Sequence, residues 1–386
     1  MHFEFDENLA LIRSSAREFA RREILPRATE IDRSGQIPRN ILQGLAELGM
    51  MGVAIPEAWG GAGATPIAYV AAMIEIAKAC ASTAVTMAVN NMVGEVLLRF
   101  GSEAQKERYL SKLASGQVLA ASFALSEPES GSDPGSMRTT ARREGKGWLI
   151  EGQKQWITSG DFASFFIVWA RTGGNDPALQ GPRGISCFIV ESQAPGLSIG
   201  HHERKMGLRG SSTVALHFEK VWVPEDALLG ELHGGFKIAM SALDGGRIGI
   251  AAQAIGIAEA ALEEAIEYAK ERRAFGRPIA DYQAIQWMIA DSRTELDAAT
   301  LLAYRAAFLK MQGRPFTREA AMAKLFATEA AWRAVDRALQ IHGGYGYVAE
   351  YDVERHYRDV RVTRIYEGTS EIQRLVIARS LLRGQI

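Results

Sequence analysis

The spacing of apolar positions changes twice along the chain. Over residues 1–120 it is helical: Leu9, Ile12, Ala16, Phe19 and Ala20 form one stripe, and Pro26 is expected to end that helix. The uncharged stretch Ala79 to Gly94 carries Ser82, Thr83, Asn90 and Asn91. It is too short and too polar to span a bilayer, and predicts a buried helix. The Gly/Pro cluster Ile55 to Gly63 predicts a loop between helices. Over residues 121–231 the runs shorten to strand length. Trp148–Gly152, Phe165–Ala170, Ile185–Val190 and Val214–Phe218 are β-type segments separated by turn residues, as in a small barrel or sandwich. Over residues 232–386 long Ala-rich helical patterns return. They are expected at Gly246–Phe275, Tyr282–Met311, Thr317–His342 and Ser370–Leu382. The order is therefore α–β–α, an α+β chain of three domains.

Composition narrows the function without naming it. A chain of 386 residues suggests two or three domains, and 47% hydrophobic with 23% charged residues is an ordinary globular balance. A formal net charge of −1 marks neither a nucleic-acid binder nor a protein drawn to anionic membranes. Cys80 and Cys187 lie far apart and make neither a metal spacing nor a disulfide framework. That fits a reducing compartment, and a cytoplasmic location is expected. The opening Met1 to Glu7 is acidic and leads quickly into a helix, unlike a signal or transit peptide.

Four segments could carry chemistry. Gly344 to Ala349 fits the G-x-G-x-x-A dinucleotide pattern, but an Ala-rich helix precedes it where a strand is required. A glycine helix stop is the better reading. Phe123 to Asp133, with its hydroxyls and glycine, could bind a flat polar ligand or a phosphate, or merely connect domains. Lys154 to Gly160 sits on a strand and its turn, where Trp156 either stacks on a ring system or fills the core. Finally, Arg364 to Gln373 sets one carboxylate, Glu367, on a tight turn. Ser370 to Gln373 reads as a capping box for the helix that follows, and Gly368 permits a bend or a close ligand approach. A carboxylate held beside Ile365 and Tyr366 could have a raised pKa and act as a general base. An exposed loop glutamate is the plainer alternative.

In combination these segments resemble the acyl-CoA dehydrogenase family, over essentially the whole chain. The resemblance rests on Ala124–Pro128 through Gly131-Ser132-Asp133, and on Gln340–Gly346 leading to Arg358-Asp359 and Tyr366–Gln373. The C-terminal third looks most like the short-chain and short-branched-chain members. The resemblance implies an N-terminal helical domain, a middle β domain and a C-terminal four-helix bundle. It also implies FAD in the cleft between them, a homotetramer, an acyl-CoA substrate and an electron-transfer flavoprotein as acceptor.

Residue by residue, Phe123, Leu125, Ser126, Trp156, Ile157 and Thr158 match positions around the flavin, and Ser132 one that binds both flavin and acyl-CoA. Arg272 and Gln283, with Phe275 nearby, match positions reaching the FAD of a neighbouring subunit. Gln340, Gly343 and Gly344 match the adenine side, and Thr369 and Glu371 further FAD contacts. Asp244, Gly245, Gly246 and Arg247 match the stretch touching the CoA part of the substrate, and Gly368 is a further substrate-binding candidate. Glu367 matches the catalytic base. It would take the α-proton of the thioester while the β-hydrogen leaves as hydride to flavin N5. The Glu367 backbone N–H and a flavin ribityl hydroxyl would polarise the thioester carbonyl.

Other readings are tested by single positions. Some branched-chain members carry the base just before the arginine matching Arg247; here that position is Gly246, which has no basic group. Oxidases and monooxygenases of the same fold lack or replace the glutamate of the C-terminal turn. Dicarboxylyl substrates need a distal cation, and Ala79 to Gly94 offers neither Lys nor Arg. Arg272 could instead serve only in an ion pair with Glu267, and the chain could be a helical scaffold without activity. His233 and Pro134 are minor departures from the family pattern.

Overall fold

A computed structural model describes residues 7–384, so Met1–Asp6 of the N-terminal reading lie outside the described residues. The described residues open with α1 (Glu7–Phe19), α2 (Ala28–Ser34) and α3 (Arg39–Glu47). Pro26 does not end the first helix outright. The stripe runs on through a π turn at Ala20–Ile24, and Pro26 lies in the following 3-10 turn, Leu25–Arg27. α4 (Pro66–Ala79) and α5 (Ala81–Phe100) come next. Cys80, at φ −160° and ψ 113°, breaks the helical run, so the uncharged stretch at Ala79–Gly94 belongs to two helices. The buried amides of α5 have work to do. Asn91 accepts from the Val53 N–H, and Asn90 from Ala121, pinning loops on either side. The short helices α6 (Glu103–Gln105) and α7 (Ser111–Ala114) complete the N-terminal region.

Seven strands make one curled sheet: β1 (Ser122–Ala124), β2 (Thr140–Glu144), β3 (Gly147–Thr158), β4 (Phe165–Arg171), β5 (Ile185–Glu191), β6 (Leu197–Ile199) and β7 (Thr213–Pro224). The order is β1-β4-β2-β3-β7-β6, with β5 against β4. β4 and β5 are apolar without alternation because both faces are covered. Phe166, Val168 and Phe188 face the inside of the sheet. Ile167, Trp169 and Ile189 face the helices with Val93 and Ile238. The Trp169 indole donates to the Gly235 carbonyl at 2.7 Å, tying β4 to the next helix.

That helix, α8 (Gly235–Glu271), begins 11 residues before the expected Gly246 and is the axis of the C-terminal bundle. Its Cβ-free position Gly256 would otherwise strike the Ile74 carbonyl at 2.5 Å, so glycine there lets α4 pack closely. A small hairpin, β8 (Arg273–Ala274) and β9 (Arg277–Pro278), follows, then α9 (Gln283–Met311), α10 (Thr317–His342), α11 (Val353–Val360) and α12 (Ser370–Leu382). A helix before Gly344 and a 3-10 turn after it exclude a Rossmann unit there. The N-terminal domain, the sheet and the bundle share cores: one apolar cluster joins Ile31, Leu45 and Met73 to Ile248, Ala303 and Ala327.

Candidate active site

The Glu367 turn is built by its neighbours. Glu329 of α10 accepts from Arg364 before the turn and from the Ser370 hydroxyl after it, at 3.0 and 2.7 Å. The Tyr366 hydroxyl donates to Gln253 of α8. Glu367 has φ +52° and Gly368 φ +89°, two successive left-handed residues. For a glutamate that conformation is strained by about 1–3 kcal/mol and persists only where surroundings impose it. The helix that follows is capped one residue earlier than the capping-box reading placed it. Thr369, not Ser370, is the N-cap and accepts from the Ile372 N–H. Gln373 instead turns its side-chain amide onto the Glu367 and Gly368 carbonyls, at 3.1 and 2.8 Å.

The carboxylate so aimed is not that of an exposed loop. Its Oε2 is inaccessible and has no hydrogen-bond partner. It fits a notch in α8: a Cβ added to Gly246 would lie 1.8 Å from Oε2. Burial raises its pKa to about 7, against the pull of Lys324 and Arg247. A buried carboxylate with an open lone pair near neutrality suits it to take a proton.

Arg247 and Asp244 stand beside the notch. Their ion pair spans 2.5 Å, and the Arg247 Nε is buried without a partner. Gly245 abuts Glu95 of α5, which is paired with Lys310 of α9 at 2.5 Å. Lys310 thus brings a cation from α9 to Gly245, although Ala79–Gly94 carries neither Lys nor Arg. The polar group sequence reasoning missed is Lys324 of α10. It is fully buried and donates to the Gly368 carbonyl at 2.7 Å. A lone lysine in an Ala-rich helix carries no sequence signal beyond a solvated face.

The sheet brings a second group together. Gln155 donates to the Ser126 carbonyl and Ser122 to the Thr158 carbonyl, joining the exit of β1 to a bulge of β3 between Lys154 and Ile157. At that bulge Trp156 has φ +65° and is 60% exposed, so it is not core. Leu125 and Ile157 are buried, and Phe123 packs on Trp169, so their side chains fill the core. Lys154 is buried against Glu127 at 2.8 Å and also donates to the Leu125 carbonyl, which holds the loop to the strand. Ser132 is exposed on the same loop.

A third group lies at the far end of the bundle. Arg272, Phe275, Gln283, Gln340, Gly343 and Gly344 are all exposed. Arg272 lies over the Tyr345 ring at 5.4 Å, beside Gly344, while Glu267 pairs with Lys270 instead. Phe275 is 96% exposed at φ +51°. Among the described residues seven non-glycine residues have positive φ, and Trp156, Phe275 and Glu367 are three of them. The other four, Ser159, Leu208, Lys220 and His233, lie outside the expected site positions. Thr369 and Glu371 stay at the head of α12.

These groups fit a large planar cofactor. An unpacked indole stands at the strand bulge, an unpartnered buried carboxylate oxygen lies in the bundle, and open space surrounds Gly131, Gly343 and Gly344.

Comparison with known proteins agrees. The sequence matches the acyl-CoA dehydrogenase N-terminal domain over residues 6–117, the middle domain over 122–221 and the C-terminal domain over 233–382. It is 49% identical to the mitochondrial short-chain specific acyl-CoA dehydrogenase of Bos taurus, covering 99% of this chain and 92% of that one. It is 46% identical to a 3-(aryl)acrylate reductase of Clostridium sporogenes, covering 98% and 100%. The structure is similar to that of butyryl-CoA dehydrogenase from Megasphaera elsdenii, with a TM-score of 0.96 and 40% identity over 99% and 100%.

Proposed function

The chain belongs to the acyl-CoA dehydrogenase family, and from that premise we propose that it oxidises a short- to medium-chain acyl-CoA thioester, straight or branched, to the trans-2-enoyl-CoA, with Glu367 as the base. Like the family it is an FAD-dependent flavoprotein oxidoreductase, and bound FAD supplies the acceptor for the β-hydrogen. The observation that carries the reading is the Glu367 Oε2, buried, unpartnered and seated in the Gly246 notch.

The chain's own residues divide the work. Glu367 takes the α-proton, and its backbone N–H polarises the thioester carbonyl, lowering the cost of the enolate-like charge. Asp244, Gly245, Gly246 and Arg247 contact the CoA part of the substrate, and Gly368 bounds it beside Glu367. Trp156, with the Ser126 and Thr158 backbone and Ser132, holds FAD at the sheet. Thr369 and Glu371 hold it at the head of α12. Gln340, Gly343 and Gly344 take its adenine side, and Arg272, Phe275 and Gln283 reach FAD in a neighbouring copy of a homotetramer. An electron-transfer flavoprotein takes the electrons. A cytoplasmic enzyme of fatty-acid β-oxidation or branched-chain amino-acid breakdown fits these features.

The test is anaerobic mixing of the purified yellow protein with butyryl- and isobutyryl-CoA. The wild type is expected to bleach, and Glu367→Gln to bind the ester without bleaching. Bleaching retained by Glu367→Gln, or rapid oxygen uptake with peroxide release, would replace this reading with a same-fold oxidase or monooxygenase.

A further inference from the structure

Lys324 has no solvent exposure. Taking an ammonium out of water costs several kcal/mol. Its hydrogen-bond partner is a backbone carbonyl, that of Gly368, which a neutral donor could satisfy. The neighbouring Gln373 is such a neutral donor, bonded to the same carbonyl and to that of Glu367. Hydrogen bonding alone therefore does not account for a charge in this place. What lies one residue away is the buried Glu367 carboxylate with its unpartnered oxygen. Resting on Glu367 as the base, we propose that Lys324 is its positioning residue. Its ammonium clamps the left-handed turn through the Gly368 carbonyl and supplies the positive charge against which the Glu367 carboxylate ionises.

The charges around Glu367 come from four elements. α10 presents Lys324, which also feels Glu329 and Glu371. α8 presents Arg247, already paired with Asp244. α4 presents the Tyr69 hydroxyl, which also feels Glu95, and the turn itself carries Tyr366. Lys324 outranks Arg247 as the cation holding the carboxylate down, while burial pushes it up. The Lys324 ammonium is itself lowered to about 7 by burial, opposed by the Glu367 charge. The two groups thus titrate as a coupled pair. Removing the lysine charge leaves Glu367 buried with less compensation, so it binds its proton to higher pH.

The test uses the full-length FAD-loaded enzyme with Lys324→Met, Lys324→Gln and Gln373→Leu. Two readouts are followed against pH. One is the single-turnover rate of flavin reduction by butyryl-CoA. The other is the infrared carbonyl band of protonated Glu367, assigned by its loss in Glu367→Gln. Both lysine variants are expected to move the two midpoints up by at least about one pH unit, a tenfold slower reaction on the acid limb. Gln373→Leu, which loses a clamp but no charge, should lower the maximal rate and leave the midpoints near wild type. Wild-type midpoints in the folded lysine variants, or an equal shift in Gln373→Leu, would overturn the proposal. The infrared midpoint reads the Lys324–Glu367 coupling even if another group proves to be the base.

Discussion

Gly246 and Glu367 are 121 positions apart in sequence and occupy one another's space. Glycine at 246 carries no basic group and leaves room for the Glu367 carboxylate of the turn. Gly246→Ala is expected to push the carboxylate out of its notch. A misplacement of about 1 Å costs roughly a hundredfold in rate, so flavin reduction by butyryl-CoA should fall by that order while the thermal midpoint changes little. In the wild type the rate should climb with pH through about 7, because the base works only when its proton is off and burial holds that proton to about 7. A rate flat from pH 5 to 9 would contradict that assignment. Glu367 was legible because Tyr366, Gly368 and Thr369 form a recognisable string around it. Lys324 was not, because its partner is a carbonyl 44 positions away and a carbonyl leaves no mark on sequence.

Among elements, the ends of α10 and α12 fall where the pattern put them, at Thr317–His342 and Ser370–Leu382. Gly343 stops α10 and the Thr369 side chain caps the start of α12, although Phe316 at the start of α10 offers no cap. α8 starts before the expected Gly246 and stops before the expected Phe275, and packing on α4, α5 and α10 carries it through Gly245 and Gly246 against their low propensity. β3 reaches 12 residues and joins the expected strand at Trp148–Gly152 to the strand and turn expected at Lys154–Gly160, with a bulge between Lys154 and Ile157. The buried Lys154–Glu127 pair stands at that bulge. Burial pushes Glu127 up, but Lys154 and the Arg138 backbone N–H outweigh it, and the carboxyl ends below its ordinary value. A depressed carboxyl contributes stability above its unfolded pKa and loses it as pH falls through the folded one. Lys154→Met strands the buried carboxylate and should cost about 3–5 kcal/mol at neutral pH. The deficit should shrink as pH falls below the ordinary carboxylate range. Urea titrations at pH 7 and pH 4 would show both effects, and an equal deficit at the two values would reject the pair as their cause.

At the scale of the molecule, the three regions are tied by specific contacts rather than by sequence neighbours. Asp359 of the bundle accepts from the Leu208 N–H beside β7, and Arg358 pairs with Asp32 of α2 at 2.8 Å. The α–β–α order was readable from the changing period, but these long-range locks were not. The bundle also leaves large apolar side chains outside. Trp287, Leu301, Phe308 and Met311 line α9, and Phe275 projects from the β8–β9 hairpin. Exposed apolar surface of this kind marks an interaction face, and on the tetramer reading it is the contact between copies. Arg272 immediately precedes that hairpin and Gln283 follows it, so on the same reading assembly and cofactor retention would be coupled, and a copy without its neighbour would lack part of the FAD site. A charged Trp287→Glu variant should therefore elute as a smaller species in light scattering. It should also lose FAD on dilution and recover it when excess FAD is added, with the isolated chain still folded by circular dichroism. A monomeric variant that keeps its flavin as tightly as wild type would separate the two roles and leave the hairpin as an assembly element alone.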